Sequence, residues 1–263
     1  MWSGTKHPSK RICLIFWVLL PALTLSAQDV PTIRYDYRTI FGEKFTDAEI
    51  FVKNNDWIIP MISSAGMDPF FAVSIVFPEL IRYSAIRDVA EIQSLKVLYV
   101  QFGENYSDFS VGPFQMKPSF AEKIEEDFSD LSGFNDLKDL NDFRDRVEIK
   151  TADFKTRPGE DPVEARKARI HRLTDRDWQV KYLLMFIKIM EKTAPPEYLK
   201  DLPDKLKYFA TAYNCGYWKN PETILSEMTK KRFHTSLFET PDKYNYSDIS
   251  WYFYQKTHPT PLY

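Results

Sequence analysis

Glycine is scarce in this chain, and that scarcity excludes a good deal. Eight glycines in 263 residues leave no Gly-rich loop that could cradle a phosphate, so a nucleotide-binding turn is not expected. Cysteine is scarcer still. Cys13 and Cys215 are the two present, too few for a disulfide framework. His171, His234 and His258 are far apart and lack any spacing of the His-Glu-x-x-His kind, so neither a metal site nor a cofactor is expected. Lys and Arg number 35 against 37 Asp and Glu, which gives no global electrostatic reason to bind nucleic acid. Internal repeats and low-complexity tracts are also missing.

What is present begins with a targeting segment. Lys6, Lys10 and Arg11 precede an apolar run from Ile12 to Leu25, and Leu25-Ser26-Ala27 supplies small residues for cleavage. This is the layout of a secretory signal peptide over residues 1–27. A membrane anchor is the alternative, but the run is short for a span of ~20 residues and Pro21 interrupts it. No Cys stands at the cleavage position, which argues against a lipoprotein. Cleavage would remove three cations and no anion, taking the formal net charge from −2 to −5 and leaving Cys215 without a partner. The remaining chain, with 16% aromatic residues, is long enough to bury a large core as one domain.

The chain is organised around Gly66 to Leu80. Asp68 before Pro69 reads as an N-cap and first-turn pair. From Phe70 to Phe77 only Ser74 is polar, the pattern of a helix buried on every side. Pro78 is expected to kink or end the ladder there, and Glu79 follows. A carboxyl beside such a run is desolvated, which favours its protonated form and suits a general acid. The plainer alternative is a Glu at a helix end that reaches solvent.

Around this core, residues 28–45 read as an extended, Tyr-rich lead-in, and a helix capped by Thr46 carries Ile50, Phe51, Trp57, Ile58, Met61 and Ile62 on one face. A second long helix is expected over Ser84–Phe102, then a turn-rich loop containing a small hairpin between Gly103 and Gln115. Helix resumes at Ser119 with Glu122 completing a capping box. Residues 126–175 read as a charged insertion of short helices and loop, with Arg166–Arg172 as a solvated helix face. Helices are expected over Asp177–Met190 and Lys205–Tyr213, the latter closed by Gly216. The tail from Phe233 onward reads as irregular, its many rings packing on the body or lining a groove.

Three motifs stand in order: Gly66-Met67-Asp68-Pro69 leading through the apolar helix to Glu79; Gly112-Pro113-Phe114-Gln115-Met116-Lys117-Pro118; and Ala212-Tyr213-Asn214-Cys215-Gly216. Together they resemble the soluble lytic transglycosylases and goose-type lysozymes over roughly residues 46–225. The sequence departs from that pattern at Leu80, where the family has Ser, at Pro113 and Phe114, where it has Leu and Met, and at Cys215, where it has Ala. The stretch between Glu79 and Gly112 is also longer.

The resemblance implies a mainly α, lysozyme-like domain over 46–263 with a hairpin or loop near the site. It implies Glu79 as the one catalytic carboxyl and Gly112, Phe114, Gln115, Met116, Tyr213 and Asn214 as substrate-binding residues. The substrate would be peptidoglycan glycan strands, met by a monomer in the periplasm, and the product a 1,6-anhydro sugar. A goose-type hydrolase, with Asp108 or Glu104 holding a water, is one alternative. A glycan-binding scaffold that has lost turnover is the other.

Overall fold

A computed structural model describes Met1 and residues 35–85, 89–105, 107–130, 137–150, 162–236, 241 and 243–258. The expected signal peptide, apart from Met1, falls outside these residues, as does the first part of the expected lead-in. The chain divides into Met1–Tyr35 and Asp36–Tyr263. The second unit is mainly α. Its helices are α1 (Tyr37–Phe41), α2 (Glu43–Asn54), α3 (Ile58–Ser64), α4 (Pro69–Ala85), α5 (Val89–Phe102), α6 (Pro118–Asp130), α7 (Leu137–Val147), α8 (Pro162–Thr174), α9 (Arg176–Thr193), α10 (Leu202–Cys215), α11 (Pro221–Met228) and α12 (Tyr246–Thr257). A short 3-10 turn, Pro196–Leu199, and two short antiparallel strands, β1 (Lys231–Phe233) and β2 (Tyr244–Asn245), complete the described elements. Among the described residues no helix is long and apolar enough to cross a membrane.

Helix α4 is the hub, packed by α2, α10 and α12. Asp68 starts it as expected: Oδ1 accepts the amides of Phe70 at 2.9 Å and Phe71 at 3.3 Å, while Oδ2 accepts from the Tyr254 hydroxyl at 3.2 Å. Every residue from Phe71 to Ile81 is buried. Ser74 avoids an unmet donor by bonding the Phe70 carbonyl at 2.6 Å. Phe77 is clasped between Phe253, stacked at 3.7 Å, and Phe45, edge-on at 4.9 Å. Rings from both ends of the unit, Tyr37 and Phe41 with Tyr244 and Tyr252, close a second aromatic cluster beside it.

Several expectations from the sequence need correction. The end of the supposed lead-in is helical, because Tyr37, Phe41 and Phe45 turn onto one buried face as α1 and α2. The expected helix from Thr46 is two helices, broken between Asn54 and Ile58, with Asn55 bonding its side chain back to the Phe51 carbonyl at 2.7 Å. Pro78 does not end α4. The helix runs on to Ala85, so Glu79 lies within it, held by tertiary packing that outweighs one missing amide. Among the described residues no hairpin of strands forms between Gly103 and Gln115. A single bridge joins Val111 to Met116, and the two-stranded sheet lies at β1 and β2 instead. Among the described residues of the tail, Tyr246–Thr257 is regular helix, since Asn245 caps α12 by accepting the Asp248 amide at 3.0 Å.

The Arg166–Arg172 stretch is not a solvated face either. Arg169 on α8 is buried and gives Glu125 of α6 bonds from Nε at 3.0 Å and Nη2 at 2.8 Å. The other Glu125 oxygen takes Arg172 Nη2 at 2.8 Å and the Tyr182 hydroxyl of α9. Arg169 Nη1 also reaches the Tyr99 hydroxyl of α5 at 2.7 Å and Glu122 at 3.1 Å. Four helices are tied by a network in which each buried charge meets its opposite. Removing Arg169 leaves the buried Glu125 with only Arg172 as counter-charge and takes the guanidinium from the Tyr99 hydroxyl and Glu122. Arg169→Met is therefore expected to lower the unfolding free energy by about 3–5 kcal/mol, read by urea denaturation. A loss below about 1 kcal/mol, the worth of a surface pair, would mean the network does not hold these helices.

Candidate active site

Glu79 is 4% exposed, and what exposure it has is to a cavity of about 180 Å³. Arg82, one turn along α4, gives the carboxyl both contacts of one nitrogen: Nη1 lies 3.1 Å from Oε1 and 2.8 Å from Oε2. Burial raises the Glu79 pKa above its ordinary value; Arg82 pulls the other way and does not cancel it.

The Tyr246 hydroxyl of α12 also lies against this carboxyl, and it donates to the Ile75 carbonyl at 3.1 Å. A hydroxyl has one proton. While that proton goes to Ile75, the Tyr246 oxygen can only accept from Glu79, which suits the protonated acid. Turned towards Glu79, it would donate and suit the carboxylate. Burial beside Glu79 pushes the Tyr246 and Tyr213 phenols well above their ordinary range, so both remain protonated donors.

The opposite wall comes from the loop between α5 and α6. Val111 and Met116 exchange backbone bonds of 2.9 and 3.2 Å around the turn Gly112–Gln115. Gln179 of α9 is inserted beneath it. Its Oε1 accepts the Phe114 amide at 2.9 Å, and Nε2 donates to the carbonyls of Val111 at 3.1 Å and Leu173 at 2.7 Å. Gly112 has φ +70, and a Cβ there would stand 1.6 Å from Gln179 Nε2. The glycine is thus required by the buried amide as well as by the backbone. Tyr213 donates to the Phe114 carbonyl at 2.7 Å, which ties α10 to the same turn.

The structure brings Glu79, Gln115, Met116, Tyr213, Asn214 and Asp108 to one cavity. Gly112 and Phe114 are not part of its lining: Gly112 makes room for Gln179, and Phe114 is buried under the turn at 2% exposure. Tyr213 bonds the Phe114 carbonyl rather than Glu79. Gln115, at φ +50, donates its Nε2 to the Gly112 carbonyl at 2.8 Å. Asp108 is already occupied, accepting the Ser119 amide at 3.2 Å and pairing with Lys117 at 3.3 Å. It therefore supplies the α6 cap that a Ser119 box was expected to give. Glu104 is exposed and lies outside the lining, its charge acting on Glu122.

Sequence reasoning missed Arg82, Tyr246, Gln179 and Trp218. The i, i+3 spacing of Glu79 and Arg82 was a usable signal. The other three act through tertiary contact and left none. Trp218 stands at the cavity rim, 48% exposed, with its ring against Gly216, where a Cβ would come within 2.9 Å of it.

Comparison with protein-family models, curated proteins and solved structures finds no match. Among the described residues no group of three or more His, Cys, Asp or Glu could hold a metal ion. Cys215 lines the cavity, and burial raises its thiol pKa, which disfavours the thiolate that a nucleophile requires.

Two outcomes follow from this geometry. Gly112→Ala adds strain at positive φ to a clash with Gln179 and is expected to cost at least about 2 kcal/mol by denaturant unfolding. Unchanged stability would show that the Gln179 anchor yields freely. The second concerns pH. Glu79 binds its proton more tightly folded than unfolded, so its contribution to stability is complete below its ordinary value of 4.5 and is lost as pH rises through the raised folded pKa. Glu79→Gln does not titrate, so its stability relative to the native protein should rise between pH 4 and neutrality. A difference that stays constant or reverses over that window, in paired melts, would contradict the raised pKa.

Proposed function

We propose that the protein cleaves peptidoglycan glycan strands as a lytic transglycosylase, on a lysozyme-like helical domain. One observation carries this: a carboxyl whose protonation is favoured by burial faces a cavity lined by parts of all three motifs, Glu79 with Gln115 and Tyr213.

Glu79 protonates the glycosidic oxygen between N-acetylmuramic acid and N-acetylglucosamine, and the substrate's own acetamido group steadies the developing cation. The resulting carboxylate is stabilised by Arg82 and by Tyr246 turned from Ile75. It then takes the proton of the sugar 6-hydroxyl, whose oxygen closes the 1,6-anhydro ring. A single carboxyl serves both steps, unlike the paired carboxylates of most glycosidases. Asn214 and Gln115 offer amide groups at the wall, and the exposed face of Trp218 offers a flat apolar surface to a sugar ring. With the signal-like segment at residues 1–27, the place of action is the periplasm.

Asp108 supports a second reading. As another carboxylate on the same cavity, it could hold a water in place of the 6-hydroxyl, giving a goose-type hydrolase. Its bonds to Ser119 and Lys117 weigh against that role.

Digestion of purified sacculi followed by mass spectrometry separates the two. Anhydro ends are expected from the native protein, and reducing ends would support the hydrolase. Glu79→Gln should keep its fold and lose at least about 100-fold in muropeptide release. Release at the native rate would remove Glu79 from the chemistry, and binding to sacculi without any release by the native protein would favour a scaffold.

A further inference from the structure

Arg82 brings more donors to the cavity than Glu79 uses. Both contacts to the carboxyl come from Nη1, and Nε and Nη2 have no hydrogen-bond partner among the described residues. The guanidinium is held in place from behind, its carbon 4.8 Å from the centre of the Phe233 ring on β1. Its side chain is 29% exposed on the cavity wall, so the unused donors are within reach of a ligand. Lys117 is the second cation on that wall, 53% exposed and only loosely paired with Asp108 at 3.3 Å. Guanidinium donors match the paired oxygens of a carboxylate, and such charge-assisted bonds are about twice as strong as neutral ones. The hydroxyl and acetamido groups of a neutral sugar bond such donors too weakly to draw the guanidinium away from Glu79; an anionic group can.

We propose that Arg82 is the receptor for a carboxylate carried by the glycan, and that this carboxylate takes over the guanidinium from Glu79. The proposal rests on the glycan-cleaving reading above and names the chemical feature that the site selects. In this class of glycan, alternate sugars bear a lactyl ether ending in a carboxyl group, either free or continued into a peptide with carboxylates of its own. Drawing Arg82 towards the ligand weakens the interaction that most opposes protonation of Glu79. An acidic glycan thereby prepares the acid that cleaves it, whereas a neutral chitin chain leaves the ion pair closed.

The test compares two peptide-free tetrasaccharides, neutral chitotetraose and the alternating form with free lactyl carboxylates, by calorimetric titration. Glu79→Gln serves as the host so that no turnover intervenes. The acidic probe is expected to bind about tenfold tighter than the neutral one. Adding Arg82→Gln should bring the ratio close to one, and adding Arg82→Lys should restore part of it. Kinetically, Arg82→Gln alone should reduce kcat/KM for the acidic chain far more than for the neutral chain. An unchanged ratio in the double variant overturns the proposal. Equal loss on both substrates also does so, since that is what a merely structural Arg82 would give. Failure of the host to bind either probe would sink the glycan reading, and this inference with it.

Discussion

Keeping a glutamate carboxyl inside a helix that is buried from Phe71 to Ile81 carries a desolvation cost, and the neighbouring elements are arranged around that cost. Arg82 offsets part of it from the next turn of α4, and the Tyr246 hydroxyl sits beside the carboxyl from α12. Neither restores the ordinary pKa, because the apolar helix and the rings packed on it exclude water from all but one side. That side is the cavity. The turn from Val111 to Met116 forms its far wall, and Gln179 holds the turn from beneath with two hydrogen bonds while a third anchors it to Leu173 of α8.

Two buried glutamates make the contrast plain. Glu125 has both oxygens supplied by Arg169, Arg172 and Tyr182, within a network that joins four helices. It has no oxygen left for another partner. Glu79 receives one nitrogen of one arginine and faces open space where a ligand can enter. The first arrangement secures helix packing; the second leaves a proton available for exchange. Saturation of the oxygens distinguishes them, since burial alone does not.

Much of the helical layout was legible because it is locally encoded. Asp68-Pro69 specified the start of α4, the unbroken apolar run specified its burial, and Gly216 specified the end of α10. Of the two outcomes expected at Pro78, a kink or an end, the end does not occur, because packing on α2, α10 and α12 carries the helix through. The Arg166–Arg172 face misled for a related reason: its interleaved charges looked solvated, yet their partners Glu122 and Glu125 lie more than forty residues away on α6. At the cavity, Glu79, Gln115 and Tyr213 could be named from motif types. The tasks of Gly112 and Phe114 could not, since they depend on a buried Gln179 that no local pattern announces. Tyr246, far along the chain, was only one of many tail aromatics until α12 set it against α4.

The central claim is that burial makes Glu79 hold its proton more tightly than an ordinary glutamate does. It is tested most directly by titrating the side-chain carboxyl resonances of glutamate-labelled protein by carbon NMR, with Glu79→Gln assigning the signal. A buried acid of this kind should titrate above its ordinary value of 4.5, despite Arg82 one turn away. A Glu79 resonance that titrates at or below that value would mean the ion pair governs the site, and the carboxyl could not serve as the proton donor described here.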